Sequence, residues 1–342
     1  MSLPATYVSS IDYISDCLGF LKSYQWLYNY YNTHVLVHNV FENFPLDWID
    51  YFKAITNEEL NLFPLNQLKK ECPKTLQDLM EKIASLKPNI EVENIECVAE
   101  PICNYGGLSQ KKYHEIINLA AAINQICRQY KLDFVLDVGS GLGYLSHLLN
   151  SRYNYKVLGI ECKSEFVKLA YANQEKHHPN CHNLVKFEEH FISSESADIL
   201  TELYITHFSS IGPSIGCLAG LHACADLSIT ILELFSKLDF MKCLIIMPCC
   251  YHRIELENES ETRECFKNFP SSEKFKNIYK TYEADTYLRR PFLRLACQQT
   301  HYSFVNMSEA EHEDHAFKFL CRAILQEVAE IGKIYYCYCS RS

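Results

Sequence analysis

Short apolar runs alternate with amphipathic stretches through the middle of the chain. Phe134–Val138 (F-V-L-D-V) is long enough for a buried strand and too short for a helix. Tyr155–Ile160 reads as a second strand ending at Glu161, and Leu184–Phe191, weakly alternating, as a third. Ile215–Leu221 and Met241–Met247 complete five. The intervening stretches carry helical spacing. Ser109 is placed to cap a helix through Gln129 whose apolar face is Ile116, Leu119, Ala120, Ile123 and Ile126. Leu142, Leu145, Leu148 and Leu149 mark another, and Ser164–Asn173 a third. Asp226 can cap a fourth, with a stripe of Leu227, Ile231, Leu234, Phe235 and Leu238. Strands alternating with helices predict an α/β fold: a parallel sheet with right-handed crossovers and helices on both faces. Ligands bind such a sheet outside its carboxyl edge.

The first part of the chain reads differently. Residues 1–86 are aromatic and helical in pattern, with helices predicted over Ile11–Tyr31 and Asp47–Ile55 and breaks at Pro45, Pro64 and Pro73. Lys87–Gly107 reads as an entry loop with Pro88, Pro101, Gly106 and Gly107. The expected division is therefore a helical N-terminal region, 1–86, and the α/β domain, 87–342. The helical region is expected to be a packed cap or, on the sharper reading, a part that selects substrate.

Composition narrows the class. At 342 residues, 48% hydrophobic and 22% charged, the chain is globular and has ample length for a core. A net charge of −10 argues against a generally basic nucleic-acid-binding surface, and no DNA-binding signature is present. No apolar run approaches 18 residues and no signal peptide opens the chain, so a membrane role is not expected. The 17 cysteines, among them Cys217, Cys243, Cys297 and Cys321 in apolar segments, then read as reduced thiols of an intracellular, cytoplasmic or also nuclear protein. Their spacing makes no pair of C-x2-C knuckles. Cys249 and Cys250 are expected to be packing thiols, the His177-His178-x-x-Cys181-His182 group a solvated loop, and no metal site is expected. The composition carries no signal for an oligomeric state.

The chemistry concentrates at Asp137-Val-Gly139-Ser140-Gly141-Leu-Gly143, between the first strand and its helix. Glycine suits a turn where backbone approaches a ligand and φ is positive, and the helix start adds free N–H groups. The dinucleotide fingerprint G-x-G-x-x-G/A would need Gly or Ala where Tyr144 stands. The acid-x-G-x-G-x-G pattern instead resembles motif I of the class I S-adenosylmethionine-dependent methyltransferases. Glu161, at the end of the second strand, can accept hydrogen bonds from both ribose hydroxyls. Lys111 and Lys112 in the first turn of the helix after Ser109 run against the macrodipole, which fits either a bland surface or a nearby anionic group.

Four segments carry a closer resemblance: G-L-S-Q-K-K-Y-H-E (107–115), D-V-G-S-G-L-G (137–143), G-L-H-A-C-A-D-L-S (220–228) and P-C-C-Y-H (248–252). Together with L-A-C-Q (295–298) and H-A-F-K-F-L-C-R-A-I-L-Q (315–326), they resemble the methyltransferase-like protein 25 family over about Asn43 to Gln326. The resemblance implies a Rossmann-like class I fold with S-adenosyl-L-methionine as cofactor. It implies cofactor binding by Asp137, Gly139, Ser140, Gly141, Gly143 and Glu161. If the sheet order is that of class I enzymes, the ends of strands four and five lie beside each other, across the glycine turn from Glu161. His222, Asp226 and Tyr251, with His252 beside them, are then the candidate catalytic residues, His222 as proton acceptor.

Two departures modify this. Family members continue beyond the C-terminal helix, whereas this tail offers one obvious strand, Lys333–Cys339, so an incomplete sheet edge is expected. No N/D-P-P-Y/F tetrapeptide follows strand four, which weakens an adenine dimethylase reading. The expected function is methyl transfer to a protein or RNA; the alternative is a noncatalytic binding or scaffold protein that keeps the fold.

Overall fold

The computed structural model describes residues 2–68, 71–89, 95, 108–211, 214–260, 262–297 and 301–331. Its chain divides into two compact units, one of residues 1–91 with 256–342 and the other of residues 92–255. By contacts, the stretch from residue 256 onward groups with the N-terminal helices.

The first unit contains α1 (Ser10–Ser23), α2 (Leu46–Ala54), α3 (Asn57–Leu62) and α4 (Lys74–Leu86). The helix expected over Ile11–Tyr31 stops at Ser23. A single 3-10 turn, Gln25–Leu27, follows and swings Trp26 and Leu27 into a cluster around Trp48, Leu76 and Leu79. From the far end of the chain, Tyr279, Ala284, Tyr287 and Leu288 close a second cluster over Leu18. This burial draws both ends of the sequence into one unit.

The second unit is built on β1 (Phe134–Val138), β2 (Lys156–Glu161), β3 (Val185–Glu189), β4 (Gly216–Leu221) and β5 (Met241–Met247). They form one parallel sheet in the order β3-β2-β1-β4-β5. Every residue of β1 is buried, as a central strand covered on both faces requires. Alternation sorts its side chains. Val135 packs under α5 (Gln110–Tyr130), α6 (Tyr144–Tyr153) and α7 (Ser164–His177), while Phe134, Leu136 and Val138 face α8 (Ala197–Phe208) and α9 (Asp226–Lys237). The five strands expected for the sheet are present, with ends differing by up to two residues.

Ser109 caps α5 as expected, its Oγ accepting from the Lys112 N–H at 3.3 Å. Asp226 does not cap α9. Ala225 holds that position, and the Asp226 carboxylate accepts instead from the Glu255 N–H at 2.8 Å. Helix α8 has no counterpart in the sequence reading. Its apolar residues surround it: Leu200 and Phe208 are buried while Ile199 and Ile205 are exposed, so no single stripe stands out. The remaining elements belong to the first unit. A separate antiparallel hairpin joins β6 (Leu256–Glu259) to β7 (Glu264–Phe266), followed by α10 (Glu273–Thr281), α11 (Arg290–Ala296), α12 (His301–Val305) and α13 (Glu309–Ile331). The strand expected at Lys333–Cys339 lies outside the described residues, as does most of the Lys87–Gly107 loop. Among the described residues no helix is long and apolar enough to cross a membrane.

Close packing beneath the glycine turn gives a stability test. A Cβ on Gly159 would meet the Phe187 ring at 2.6 Å and Ser140 Cβ at 2.9 Å, and Phe187 is itself buried. Gly159→Ala should cost about 1–3 kcal/mol of unfolding free energy through overpacking. Gly141→Ala has nothing within 4 Å of the added carbon and only the cost of φ +55°, about 1 kcal/mol. Urea unfolding of the two variants should show that order; equal midpoints would mean that Phe187 yields freely.

Candidate functional site

The turn between β1 and α6 is shaped by three glycines with φ of +75° at Gly139, +55° at Gly141 and +79° at Gly143. Its backbone is fastened to the end of β2. Ile160 O accepts from the Gly139 N–H at 2.8 Å and from the Ser140 N–H at 3.1 Å. Glu161, 8% exposed, accepts from the Gly141 N–H through Oε2 and from the Lys163 N–H through Oε1, both at 3.1 Å. Cys162 Sγ lies 3.4 Å from the same Oε1. A carboxylate offers about four acceptor positions, so Glu161 keeps capacity for a further donor.

Asp137 sits below the turn. Strand alternation points it to the α6 face, where Ser146 Oγ donates to its Oδ2 at 2.6 Å. Burial pushes its carboxyl up to about 6, against the lowering effect of the Ser146 bond, and the nearby Glu161 charge adds to the rise. Ser140 Oγ is buried with no hydrogen-bond partner among the described residues. Open space where a Cβ of Gly141 would stand, an unanswered hydroxyl and a carboxylate with spare capacity form a cradle for a polar ligand. The six residues expected to bind cofactor are therefore gathered at one sheet edge. They fit a nucleoside bearing vicinal hydroxyls.

On the other side of β1, the ends of β4 and β5 meet. The His222 N–H donates to Met247 O at 3.1 Å. The intervening loop is tightly folded, with φ of +59° at His222 and +57° at Ala225. The His222 ring is engaged at both nitrogens: Nε2 lies 3.1 Å from Glu115 Oε2 and Nδ1 lies 3.6 Å from Cys249 Sγ. It can accept a substrate proton only by giving up one of these contacts. Asp226 is turned to the Glu255 backbone, as above. Tyr251, at the head of a 3-10 turn spanning Tyr251–Arg253, is exposed. His222, Asp226 and Tyr251 thus share a rim, where His222 and Asp226 make structural contacts and Tyr251 offers its phenol to solvent.

Two features of this rim escaped the sequence reading. Glu115, on α5, backs His222 across a separation of 107 residues. The sulfurs of Cys224, Cys249 and Cys250 lie within 4.8 Å of one another. Cys249 is exposed at the surface, so these are not the packing thiols expected. Burial raises its thiol to about 12, with further contributions from the neighbouring Cys224 and Cys250. The His177–His182 group is likewise not a simple solvated loop. Cys181 is buried, and His178 stacks on His147 at 4.9 Å, whose own ring burial holds it down to about 3. Lys111, at the basic start of α5, stands 3.8 Å from Glu115.

Residues 111–257 match a family model described as a methyltransferase domain. A 54-residue stretch is 41% identical to the human protein named Probable methyltransferase-like protein 25, covering 16% of this chain and 9% of that protein. Among solved structures, an RNA methyltransferase from Salinibacter ruber in complex with S-adenosyl-L-homocysteine is 13% identical. That alignment covers 49% of this chain and 98% of the other, at a TM-score of 0.28. Magnesium protoporphyrin IX methyltransferase from Synechocystis, with S-adenosylhomocysteine bound, is 16% identical over 39% of this chain and 58% of its own, at 0.28. Scores this low bear on neither substrate nor mechanism. The stretch that matches the methyltransferase-domain model, residues 111–257, is the one that holds the parallel sheet and its glycine turn.

Proposed function

We propose that this domain binds S-adenosyl-L-methionine at the glycine turn and directs its methyl group to a protein or RNA acceptor held at the β4–β5 rim. The observation that carries the reading is the cradle at Gly139–Gly143, with Glu161 at the end of the neighbouring strand. Glu161 would take the ribose hydroxyls, and the buried Asp137 would face the positive methionine end. When bound, the cofactor supplies an activated methyl group, so the protein has chiefly to align an acceptor in line with it. The rim does this through Tyr251, which reaches outward, and through His222 and Asp226, which fix the loops around it. A proton acceptor is needed only where the methylated atom arrives protonated. His222, backed by Glu115, is the candidate for that task. The noncatalytic alternative draws support from the engaged rings and carboxylates of the rim. Cofactor binding without labelling of any fraction of a cell extract would favour it.

Cofactor contacts come first among the tests. Glu161→Gln keeps the shape and loses the charge, so affinity for S-adenosylhomocysteine should fall by about 1.5–3 kcal/mol by calorimetry. Gly141→Ala places a methyl group in the open cradle and should weaken binding at least as much, with little loss of fold stability. Binding of NAD in preference to either methyl-donor form would overturn the reading.

The proton on Asp137 gives a second test. Its carboxyl titrates near 6 in the free protein. A bound cation lowers that value, so binding releases a proton at pH below about 6 and leaves affinity flat above it. Affinity should therefore drop as pH is lowered through 6, by up to about tenfold per unit for one proton. Asp137→Asn should flatten the profile. An identical profile in the variant would remove Asp137 from contact with the cofactor's charge.

For the rim, His222→Ala and Tyr251→Phe should leave S-adenosylhomocysteine affinity nearly intact while slowing methyl transfer by on the order of 10²-fold, the cost of a misplaced acceptor. Labelling a knockout extract with radioactive cofactor, with and without RNase, identifies the acceptor class on which this is measured. Full turnover in both variants would move acceptor positioning away from this rim.

A further inference from the structure

We infer that the rim holds a zinc ion, bound by the thiolates of Cys224, Cys249 and Cys250 with His222 Nδ1 as the fourth ligand. The three sulfurs lie within 4.8 Å of one another, with Cys224 and Cys249 at 3.0 Å and Cys249 and Cys250 at 3.5 Å. His222 Nδ1 approaches Cys249 Sγ to 3.6 Å but stands outside the set of the three sulfurs, so its ring must move inward to complete the site. Ligands at about 2.3 Å from a tetrahedral zinc stand about 3.8 Å apart, so a small outward adjustment of each sulfur opens the coordination sphere. Three sulfurs and one imidazole suit zinc, which favours thiolate-rich tetrahedral sites, over calcium or magnesium, which take oxygen.

The surroundings match what such a site requires. Glu115 Oε2 lies 3.1 Å from His222 Nε2, which orients the ring with Nδ1 on the side of Cys249 Sγ. The Cys249 N–H donates to Cys224 Sγ at 3.2 Å, a contact that stabilises negative charge on the sulfur. Left-handed backbone at His222 and Ala225 folds the β4 loop back so that residues 222 and 224 both reach the β5 end. Exposure of Cys249 gives the ion an entry path. On binding, each thiol releases its proton to solvent and no electron changes hands. The ion would tie the two loops that flank the proposed acceptor position, and it makes His222 a ligand rather than a free base. The inference stands on the rim alone and does not depend on the identity of the cofactor.

The test uses the full chain purified under reducing conditions. Zinc content by atomic emission should be close to one ion per chain and should fall to background in Cys224→Ser and Cys249→Ser, while Cys321→Ser, in the first unit, retains it. After chelation, titration with cobalt(II) should give the intense visible bands and the near-ultraviolet sulfur charge-transfer band of a tetrahedral thiolate site. His222→Ala should weaken those visible bands and lower metal affinity at least tenfold. The cobalt spectrum of the unaltered chain keeps the test valid even if a cysteine variant fails to fold. Absence of metal and of a cobalt spectrum in the folded chain would overturn the inference. So would non-reducing peptide mapping that found Cys224 and Cys249 joined as a disulfide in freshly purified protein.

Discussion

The hydrogen bonds that Ile160 and Glu161 make to the glycine turn couple a loop to a strand pairing. Ile160 O takes two N–H groups from the turn and the Glu161 carboxylate takes a third. These N–H groups precede a helix, where backbone donors otherwise have no partner. Ile160 pairs in parallel register with Val138 of β1 and Glu188 of β3, and Glu161 with Glu189 of β3, so the position of the turn is fixed by the sheet itself. A shift of β2 by one residue would exchange the faces of its side chains and withdraw Glu161 from the turn. Asp137 completes the arrangement from beneath through Ser146 on α6. Strand, turn and helix are therefore one mechanical piece.

β1 separates two kinds of edge. Toward β2 lies the acidic cradle; toward β4 and β5 lies a rim of thiols, imidazole and phenol. This follows from the strand order, because chain reversal on the two sides of β1 leaves its carboxyl end as the switch point. The β4 end is held to the β5 end by the bond from the His222 N–H to Met247 O. Asp226 adds a second tie by accepting from Glu255.

How much of this was legible in the sequence depended on how local each signal was. β1 and β5 were readable to the residue because continuous apolar runs fit few alternatives to a buried strand. The cradle was readable because its parts lie on one strand–turn–helix and at the end of the next strand. Helix α8 was not, since apolar residues on all its sides hide the stripe that marks the others. Nor was the division into units: Leu18 packs with Tyr279, Tyr287 and Leu288, a burial between chain ends that leaves no periodic trace. The same reason hid the rim cluster. Cys224 and Cys249 belong to different strand ends and meet only because β4 and β5 are neighbours, so no C-x2-C spacing announces them.

The placement of the cysteines divides them by chemistry. Cys127, on α5, and Cys217, on β4, are fully buried, and the hydrogen bond between them, together with burial, drives the Cys217 thiol strongly upward. They act as small apolar side chains, and a chain rich in them gains packing without reactivity. Cys224, Cys249 and Cys250 have no such role, since at a partly exposed rim their sulfurs contribute little buried apolar area. Crowding three thiols at the surface beside an imidazole brings no packing advantage that serine or alanine would not also give. Their juxtaposition calls for a partner that prefers sulfur, and a soft cation bound at the acceptor side would supply the rigidity that two strained loop residues otherwise work against.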